Sequence, residues 1–287
     1  MRALVLLLAI GCGSSNGAAS DGHGGGGGGG GDDGGGSNAS SCKRGVAYGE
    51  DSPADQAALR AGVAWWYNWA LSPDAAVAST YGAAGFEYVP MVWGEGSLDG
   101  AGAAVTTDEH FLLAFNEPDF TSQANLTPEA AAALWPQLEQ IADAHGLALV
   151  SPALNYCGGG CNETDPFQWF DKFFAACPDC RVDALAVHWY ACTRDALENY
   201  ISQMKQYGKP IWLTEFSCLD GNDTSAATEQ AYMADALDYL ENEPAVARYA
   251  WFTGRWPATP TISLLGDDGQ LTDLGQQYVS AAGACAP

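Results

Sequence analysis

From residue 43 onward, short runs of apolar residues alternate with longer segments in which apolar residues recur at helical spacing. Such runs, bounded by glycine, proline and polar residues, predict β-strands. Buried parallel strands are apolar almost throughout, and the run FLLAF at 111–115 is of that kind. The eight predicted strands are residues 44–49, 63–69, 86–93, 111–116, 148–154, 184–190, 210–216 and 246–253.

Helical patterns fill most segments between these strands. A polar residue followed by proline opens the helix predicted over 127–145, and further helices are predicted over 195–206, 225–242 and 271–282. Segment 94–109, rich in Gly and Ala, is predicted as a loop with little helix. The alternation predicts the α/β class and a single (β/α)8 TIM barrel. A doubly wound open sheet is the alternative, but its glycine-rich phosphate loop is not found.

The first 41 residues have a different character. Residues 1–12 are a short apolar run with one basic residue, which is typical of a secretory signal peptide. Its end, AIGC, resembles a bacterial lipobox, and this implies lipidation of Cys12; a plain signal peptide is the alternative. Residues 13–41 are dominated by Gly, Ser, Asp and Asn and predict a disordered linker. We therefore expect one folded domain over 42–287, secreted or lipid-anchored at the outer cell surface.

The chain has a formal net charge of −24, with 11 Lys and Arg against 35 Asp and Glu. This balance argues against nucleic acid as a partner and against electrostatic binding to an anionic membrane. Membrane contact is therefore expected only through the N-terminal anchor. A neutral ligand such as a sugar is compatible with the charge, and the 10 Trp and 12 Tyr residues suit both an apolar core and stacking on sugar rings.

The chain has nine cysteines, so eight remain after Cys12. An oxidising compartment favours disulfides between them. The alternative for four of them is a zinc site, because CxxxC and CxxC pairs have plausible ligand spacing. Nearness in the chain and in the expected fold suggests the pairs Cys42–Cys285, Cys157–Cys161, Cys177–Cys180 and Cys192–Cys218.

Two glutamates end predicted strands: Glu117 follows the fourth and Glu215 lies in the seventh. In a (β/α)8 barrel the active site lies at the carboxyl ends of the strands, and the ends of strands four and seven can face each other across it. Two carboxylates so placed can hydrolyse a glycosidic bond, since one protonates the leaving oxygen and the other attacks the anomeric carbon or activates water. We therefore predict Glu117 and Glu215 as a catalytic pair.

The two glutamates lie within a set of motifs: WWYNW at 65–69, FNEPD at 115–119, VHWY at 187–190, WLTEF at 212–216 and LTDLG at 271–275. These segments resemble those of retaining glycoside hydrolases of clan A, and more closely those of glycoside hydrolase family 128, the small secreted β-1,3-glucanases. The resemblance implies that Glu117 is the general acid/base and Glu215 the nucleophile. It also implies that Asn116 binds the sugar 2-hydroxyl and that Tyr190 orients Glu215.

Other residues are candidates for substrate contact. His188 lies two residues before Tyr190 and so shares its face of the strand; a core histidine is the alternative. Asn68 is expected to bind a sugar hydroxyl, and Asn155 and Tyr156 are candidates of the same kind, whereas Asp119 is expected to be an ordinary acidic loop residue. The tryptophans at or near strand ends could stack on sugar rings or belong to the core: Trp66, Trp69, Trp93, Trp251 and Trp256.

The favoured function is a retaining endo-β-1,3-glucanase that cleaves β-glucan by double displacement and works as a monomer without metal or cofactor. One alternative is a carbohydrate-binding or cell-surface protein that keeps the barrel and lacks turnover. The other is a hydrolase of a different β-glycan. The presence of both glutamates in their motifs favours an enzyme over a binding protein.

Overall fold

The structure, a computed structural model, describes residues 42–106 and 108–283. The predicted signal peptide, the linker, Cys12 and Cys285 lie outside the described residues. The strands are β1 (Arg44–Ala47), β2 (Trp65–Tyr67), β3 (Glu87–Tyr88), β4 (Phe111–Leu113), β5 (Ala148–Leu154), β6 (Ala184–Trp189), β7 (Ile211–Phe216) and β8 (Val246–Phe252). Each lies within a predicted strand, although β2, β3 and β4 are shorter than predicted.

The eight strands form one parallel sheet in the order β3-β2-β1-β8-β7-β6-β5-β4. A parallel bridge between Met91 and Leu113 joins the segment after β3 to β4. The two edges of the sheet therefore meet, and the sheet closes into the predicted (β/α)8-type barrel. Because all strands are parallel, their carboxyl ends lie at one end of this barrel.

The helices are α1 (Pro53–Leu59), α2 (Leu98–Ala104), α3 (Pro128–His145), α4 (Pro166–Ala176), α5 (Arg194–Met204), α6 (Ala226–Asn242) and α7 (Asp273–Ser280). The predictions of α3, α5, α6 and α7 are confirmed. The prediction of a loop over 94–109 is wrong in part, because buried Leu98 and Ala101 give α2 an apolar face despite its glycines. Within the described residues, no helix is long and apolar enough to span a membrane.

Alternate residues of each strand enter two different apolar clusters. The inner cluster fills the barrel and includes Trp65 and Tyr67 of β2. The outer cluster lies between the barrel and the helices and includes Trp66. This alternation, which follows from the two-residue period of a strand, determines which strand residues can reach the carboxyl end of the barrel from inside.

Three of the four predicted disulfides are confirmed: Cys157–Cys161, Cys177–Cys180 and Cys192–Cys218. They use all four cysteines of the alternative zinc site, which is therefore wrong. The fourth predicted pair includes Cys285, which lies outside the described residues. The Cys192–Cys218 bridge joins the segment after β6 to the segment after β7, beside the carboxyl end of the barrel.

Candidate active site

Glu215 is directed into the barrel by an irregularity in β7. The register between β6 and β7 shifts from Val187↔Leu213 to His188↔Glu215, so Thr214 is an extra residue in β7. This bulge reverses the alternation of the strand, and Phe216 packs in the outer cluster. Bulges are frequent beside active sites because they re-aim a side chain.

Three side chains donate hydrogen bonds to the buried Glu215 carboxylate. Tyr67 Oη lies 3.1 Å and Trp69 Nε1 2.7 Å from Glu215 Oε1, and Tyr190 Oη donates to Oε2. Burial, with the negative charge of Glu215, raises the pKa of Tyr67 and Tyr190 well above the ordinary value. Both hydroxyls therefore stay protonated, and the three donors fix the orientation of the carboxylate.

The pKa of Glu215 is nevertheless raised above its ordinary value. Burial is the main cause, and the negative charge of Glu117 adds to it. The charge of His188 and the hydrogen bonds from Tyr190 and Trp69 act in the opposite direction. The predicted effect of Tyr190 on Glu215 thus has the expected sign, but burial outweighs it in the free site.

Glu117 is held at the start of the loop that follows β4. Asn116 forms a parallel bridge with Ala153 of β5, and the Glu117 backbone N–H donates to the Ala153 carbonyl at 2.9 Å. The Glu117 backbone has a φ of 40°, a left-handed conformation that costs a residue other than glycine about 1–2 kcal/mol. Such conformations persist where the surroundings impose them, often at active sites.

The imidazole of His188 is buried between the two carboxylates. Its Nδ1 lies 2.9 Å from Glu117 Oε1 and 3.5 Å from Glu215 Oε2. Burial lowers the pKa of His188, but the charges of Glu215 and Glu117 and the hydrogen bond to Glu117 outweigh this effect and raise it above the ordinary value. His188 therefore lies in the site, and the alternative of a core histidine does not fit its contacts.

Among the described residues, one group of three potential metal ligands consists of Glu117, His188 and Glu215, each offering one atom within 4.8 Å of the others. The same atoms make the hydrogen bonds described above, so the group is accounted for without a metal. The expectation of a reaction without metal or cofactor stays a prediction.

Two polar residues flank Glu117. Asn116 is buried, its Oδ1 has no hydrogen-bond partner within the described part of the chain, and its Nδ2 lies 3.4 Å from Gln123 Oε1. The interpretation of Asp119 as an ordinary loop carboxylate is wrong, because its side chain is buried. Burial, together with the charge of Glu117, raises the pKa of Asp119 well above its ordinary value.

The structure separates the candidate tryptophans into two groups. Trp69, Trp93 and Trp256 are partly exposed and pack against the inner cluster. Trp66 and Trp251 are fully buried in the outer cluster, so the prediction that they contact substrate is wrong. Both stand on the outward face of their strands, where the neighbouring helices cover them.

Asn68 also has a role other than the predicted one. Its Oδ1 accepts hydrogen bonds from Tyr88 Oη at 2.7 Å and from the Ala70 backbone N–H at 3.2 Å, and its Nδ2 donates to the Ser72 carbonyl at 3.1 Å. These contacts shape the turn after β2. The amide is therefore engaged within the protein, and the expectation of a sugar contact for Asn68 stays a prediction.

Sequence reasoning missed Tyr67 as a site residue. It stands between Trp66 and Asn68, both of which were chosen instead. The signal was available, because Trp65, Tyr67 and Trp69 share one face of a strand with a two-residue period. Since Trp69 was placed at the site, Tyr67 should have been placed there as well.

Comparisons with known proteins agree with this architecture. A family model described as "Glycosyl hydrolase catalytic core" matches residues 45–278. The crystal structure of a glycoside hydrolase family 128 (subgroup II) endo-β-1,3-glucanase from Sorangium cellulosum is 51% identical, with a TM-score of 0.80, over 84% of this chain and 98% of that one. A subgroup I endo-β-1,3-glucanase from Amycolatopsis mediterranei, in complex with laminaritriose, is 33% identical, with a TM-score of 0.68, over 84% and 100%.

Among curated proteins, Alkali-sensitive linkage protein 1 of Schizosaccharomyces pombe is 32% identical over 252 residues, which are 84% of this chain. The chain spans 45% of the length of that relative. The similarity therefore concerns one part of the yeast protein.

A closed parallel barrel with one glutamate after β4 and a second in β7, both at the carboxyl end of the barrel, has the architecture of a glycoside hydrolase. The family model covers most of the chain, and the Sorangium structure is matched almost along its full length. The chain belongs to glycoside hydrolase family 128, as its sequence motifs predicted.

Proposed function

We propose that this protein is a retaining endo-β-1,3-glucanase in which Glu215 is the nucleophile and Glu117 the general acid/base. The observation that carries the proposal is the spacing of the pair: one oxygen of each carboxylate lies within 4.8 Å of the other. Retaining enzymes place the two carboxyl groups about 5–5.5 Å apart, whereas inverting enzymes need about 6.5–9.5 Å to admit a water molecule.

In the first step, a Glu215 oxygen attacks the anomeric carbon and the glycosidic C–O bond breaks. The proton of Glu117 passes to the leaving oxygen, so the departing glucan carries a neutral hydroxyl. In the second step, Glu117 takes a proton from water, and the water oxygen attacks the same carbon. The ester bond to Glu215 breaks, and the sugar leaves with its original configuration.

The neighbouring side chains serve different parts of this cycle. The donors Tyr67, Trp69 and Tyr190 orient Glu215 for attack and stabilise its charge when the ester breaks. Asn116 offers a buried Oδ1 without a partner, and an unsatisfied buried group costs about 1–3 kcal/mol. A hydrogen bond from the sugar 2-hydroxyl would satisfy this atom and strengthen in the transition state.

The choice of β-1,3-glucan as substrate is supported by two relatives. The Sorangium relative is described as an endo-β-1,3-glucanase, and the Amycolatopsis relative was solved with laminaritriose bound. The partly exposed rings of Trp69, Trp93 and Trp256 at the carboxyl end of the barrel suit a neutral sugar chain. A neutral substrate also agrees with the strongly negative charge of the protein, which disfavours an anionic polysaccharide.

The test is incubation of the purified protein with laminarin-type β-1,3-glucan, and in parallel with β-1,4-glucan, β-1,6-glucan and mannan. Reducing ends should be released from the β-1,3-glucan, and the first-formed product should be the β-anomer by NMR. Glu215→Gln should still bind the glucan without cleaving it. A wild-type protein that binds the glucans and releases nothing would support the alternative, a non-catalytic carbohydrate-binding protein. Release of reducing ends from another β-glycan alone would show that this glycan, and not β-1,3-glucan, is the substrate.

The proposal extends to location and assembly: a monomer outside the cytoplasm, lipid-anchored through Cys12. The three disulfides support an oxidising compartment, and the AIGC sequence supports the anchor. The enzyme should sediment with membranes and become soluble when Cys12→Ala is introduced. If wild type and Cys12→Ala are both soluble, the proposed lipid anchor is wrong. If analytical sedimentation shows a dimer, the proposed monomeric state is wrong.

A further inference from the structure

Tyr156 is unusual among the described residues. Of the large hydrophobic residues that the structure describes, Tyr156 alone is exposed, with 46% of its surface accessible. It lies two residues after the end of β5, at the end of the barrel that holds Glu117 and Glu215. An exposed aromatic ring at this end is free to contact a bound chain.

The Tyr156 ring is held firmly although it is exposed. It contacts Tyr200, Phe167 and Trp189 at centroid distances of 5.6, 6.2 and 6.5 Å, and its backbone N–H bonds to Asn155 Oδ1 at 2.9 Å. The Cys157–Cys161 disulfide closes the loop that begins at the next residue. A ring fixed in advance loses little conformational entropy when a ligand stacks on it.

The position of Tyr156 relates it to Glu117 in particular. The Ala153 carbonyl of β5 accepts the Glu117 backbone N–H, and Tyr156 lies three residues further on, just beyond the end of this strand. The disulfide loop also pairs with the loop after Glu117, through the bridge between Phe120 and Cys161 and the 2.8 Å bond from Thr121 N to the Gly160 carbonyl. Tyr156 therefore lies on the side of the site that belongs to the acid.

The chemistry of the reaction indicates which part of the substrate lies on this side of the site. The acid donates its proton to the oxygen of the departing sugar, so the part of the glucan that leaves must lie beside Glu117. The indole of Trp69, by contrast, donates a hydrogen bond to the nucleophile.

We propose that Tyr156 forms a binding subsite for a neutral glucosyl unit of the leaving part of the substrate, which stacks on the exposed face of its ring. This inference rests on the proposed β-1,3-glucanase function and adds where the departing part of the glucan binds. The same subsite binds an acceptor sugar when the glycosyl-enzyme is intercepted by a second oligosaccharide instead of water.

Two substrates distinguish this role from a general one. Laminarihexaose places sugars on the leaving side, whereas an aryl β-laminaribioside has only the aryl group there. Tyr156→Ala should raise KM for laminarihexaose about tenfold and lower the yield of transglycosylation products by a similar factor. Its kcat/KM on the aryl glycoside should stay within about twofold of wild type. Tyr156→Phe, which keeps the ring, should behave as wild type on both substrates.

The matched control is Tyr239→Ala, because Tyr239 is partly buried in the last turn of α6, at the opposite end of the barrel. It should leave both substrates unaffected, and thermal unfolding should confirm that all variants fold. Equal loss on both substrates in Tyr156→Ala, or no loss on either, would overturn the subsite. Failure of the wild-type enzyme to cleave any β-1,3-glucan would instead overturn the proposed function.

Discussion

The two glutamates occupy one site but have different surroundings. Glu215 lies within a strand and receives hydrogen bonds from Tyr67, Trp69 and Tyr190. Glu117 lies at the start of a loop, and His188 is its side-chain hydrogen-bond partner among the described residues. The nucleophile is thus fixed by three donors that lie in β2 or just after β2 and β6, and the acid/base by its backbone and one shared imidazole.

This difference suits the two roles. A nucleophile must be aligned with one carbon atom and must accept a negative charge when the ester breaks, so several fixed donors help it. An acid/base must give up and regain a proton in each cycle, and donors that fix one charge state would hinder one half of that cycle. The contrast predicts how azide restores turnover in a variant of each glutamate and which glycosyl azide each variant forms.

The largest effect is expected for Glu215→Gly, which removes the attacking oxygen. Activity on β-1,3-glucan should fall by about four orders of magnitude or more. Azide added to this variant should enter from the vacated face and yield an α-glycosyl azide from an activated aryl glycoside. A β-glycosyl azide as the product would show that Glu117 is the nucleophile and Glu215 the acid/base.

Glu117→Ala should show a substrate-dependent loss. Hydrolysis of β-1,3-glucan should fall by about 10²–10⁴-fold, since the leaving oxygen then departs without a proton. An aryl glycoside with a strongly acidic phenol needs no such proton, so its first step should stay fast and give a burst of phenol. Azide should then restore turnover with a β-glycosyl azide as product. An equal loss on both substrates would contradict the acid role.

The donors around Glu215 give a smaller effect. Tyr190→Phe and Tyr67→Phe should each lower kcat by about 10–100-fold, because hydrogen bonds to charged groups contribute about 1.5–3 kcal/mol. Tyr232→Phe is the matched control, since Tyr232 is also buried but its hydroxyl has no hydrogen-bond partner among residues 42–106 and 108–283. Tyrosine variants that all match wild type would show that the donors do not stabilise the nucleophile.

Much of the barrel could be predicted because apolar runs mark buried parallel strands. Residues 148–154 were predicted as a strand and form β5 over the same residues. The two glutamates were also identifiable, since each follows such a run. α2 was missed because Gly100 and Gly102 disfavour a helix and its small side chains give little apolar periodicity, so its formation depends on packing of Leu98 and Ala101.

The direction of individual side chains was harder to predict. Trp66 and Trp251 were chosen for their chemistry, but each stands on the outward face of its strand. In β7, strict alternation from inward-facing Trp212 would turn Phe216 inward and Glu215 outward. The bulge at Thr214 reverses this order, and no residue in the run WLTEF marks it. Strand register thus depends on neighbouring strands, which a local pattern does not contain.

The smallest effect concerns His188, the residue that both glutamates share. The positive charge of His188 lowers the pKa of Glu215, so its removal in His188→Gln should raise that pKa further. The acidic limb of kcat/KM follows ionisation of the nucleophile in the free enzyme, and should therefore move to higher pH. At the optimum, activity should fall by less than about tenfold, because glutamine keeps a donor for Glu117. His145→Gln, at the last residue of α3 and away from both glutamates, should leave the profile unchanged. A limb that stays in place, or moves to lower pH, would mean that the imidazole is neutral in the free enzyme and that the two carboxylates alone set the charge of the site.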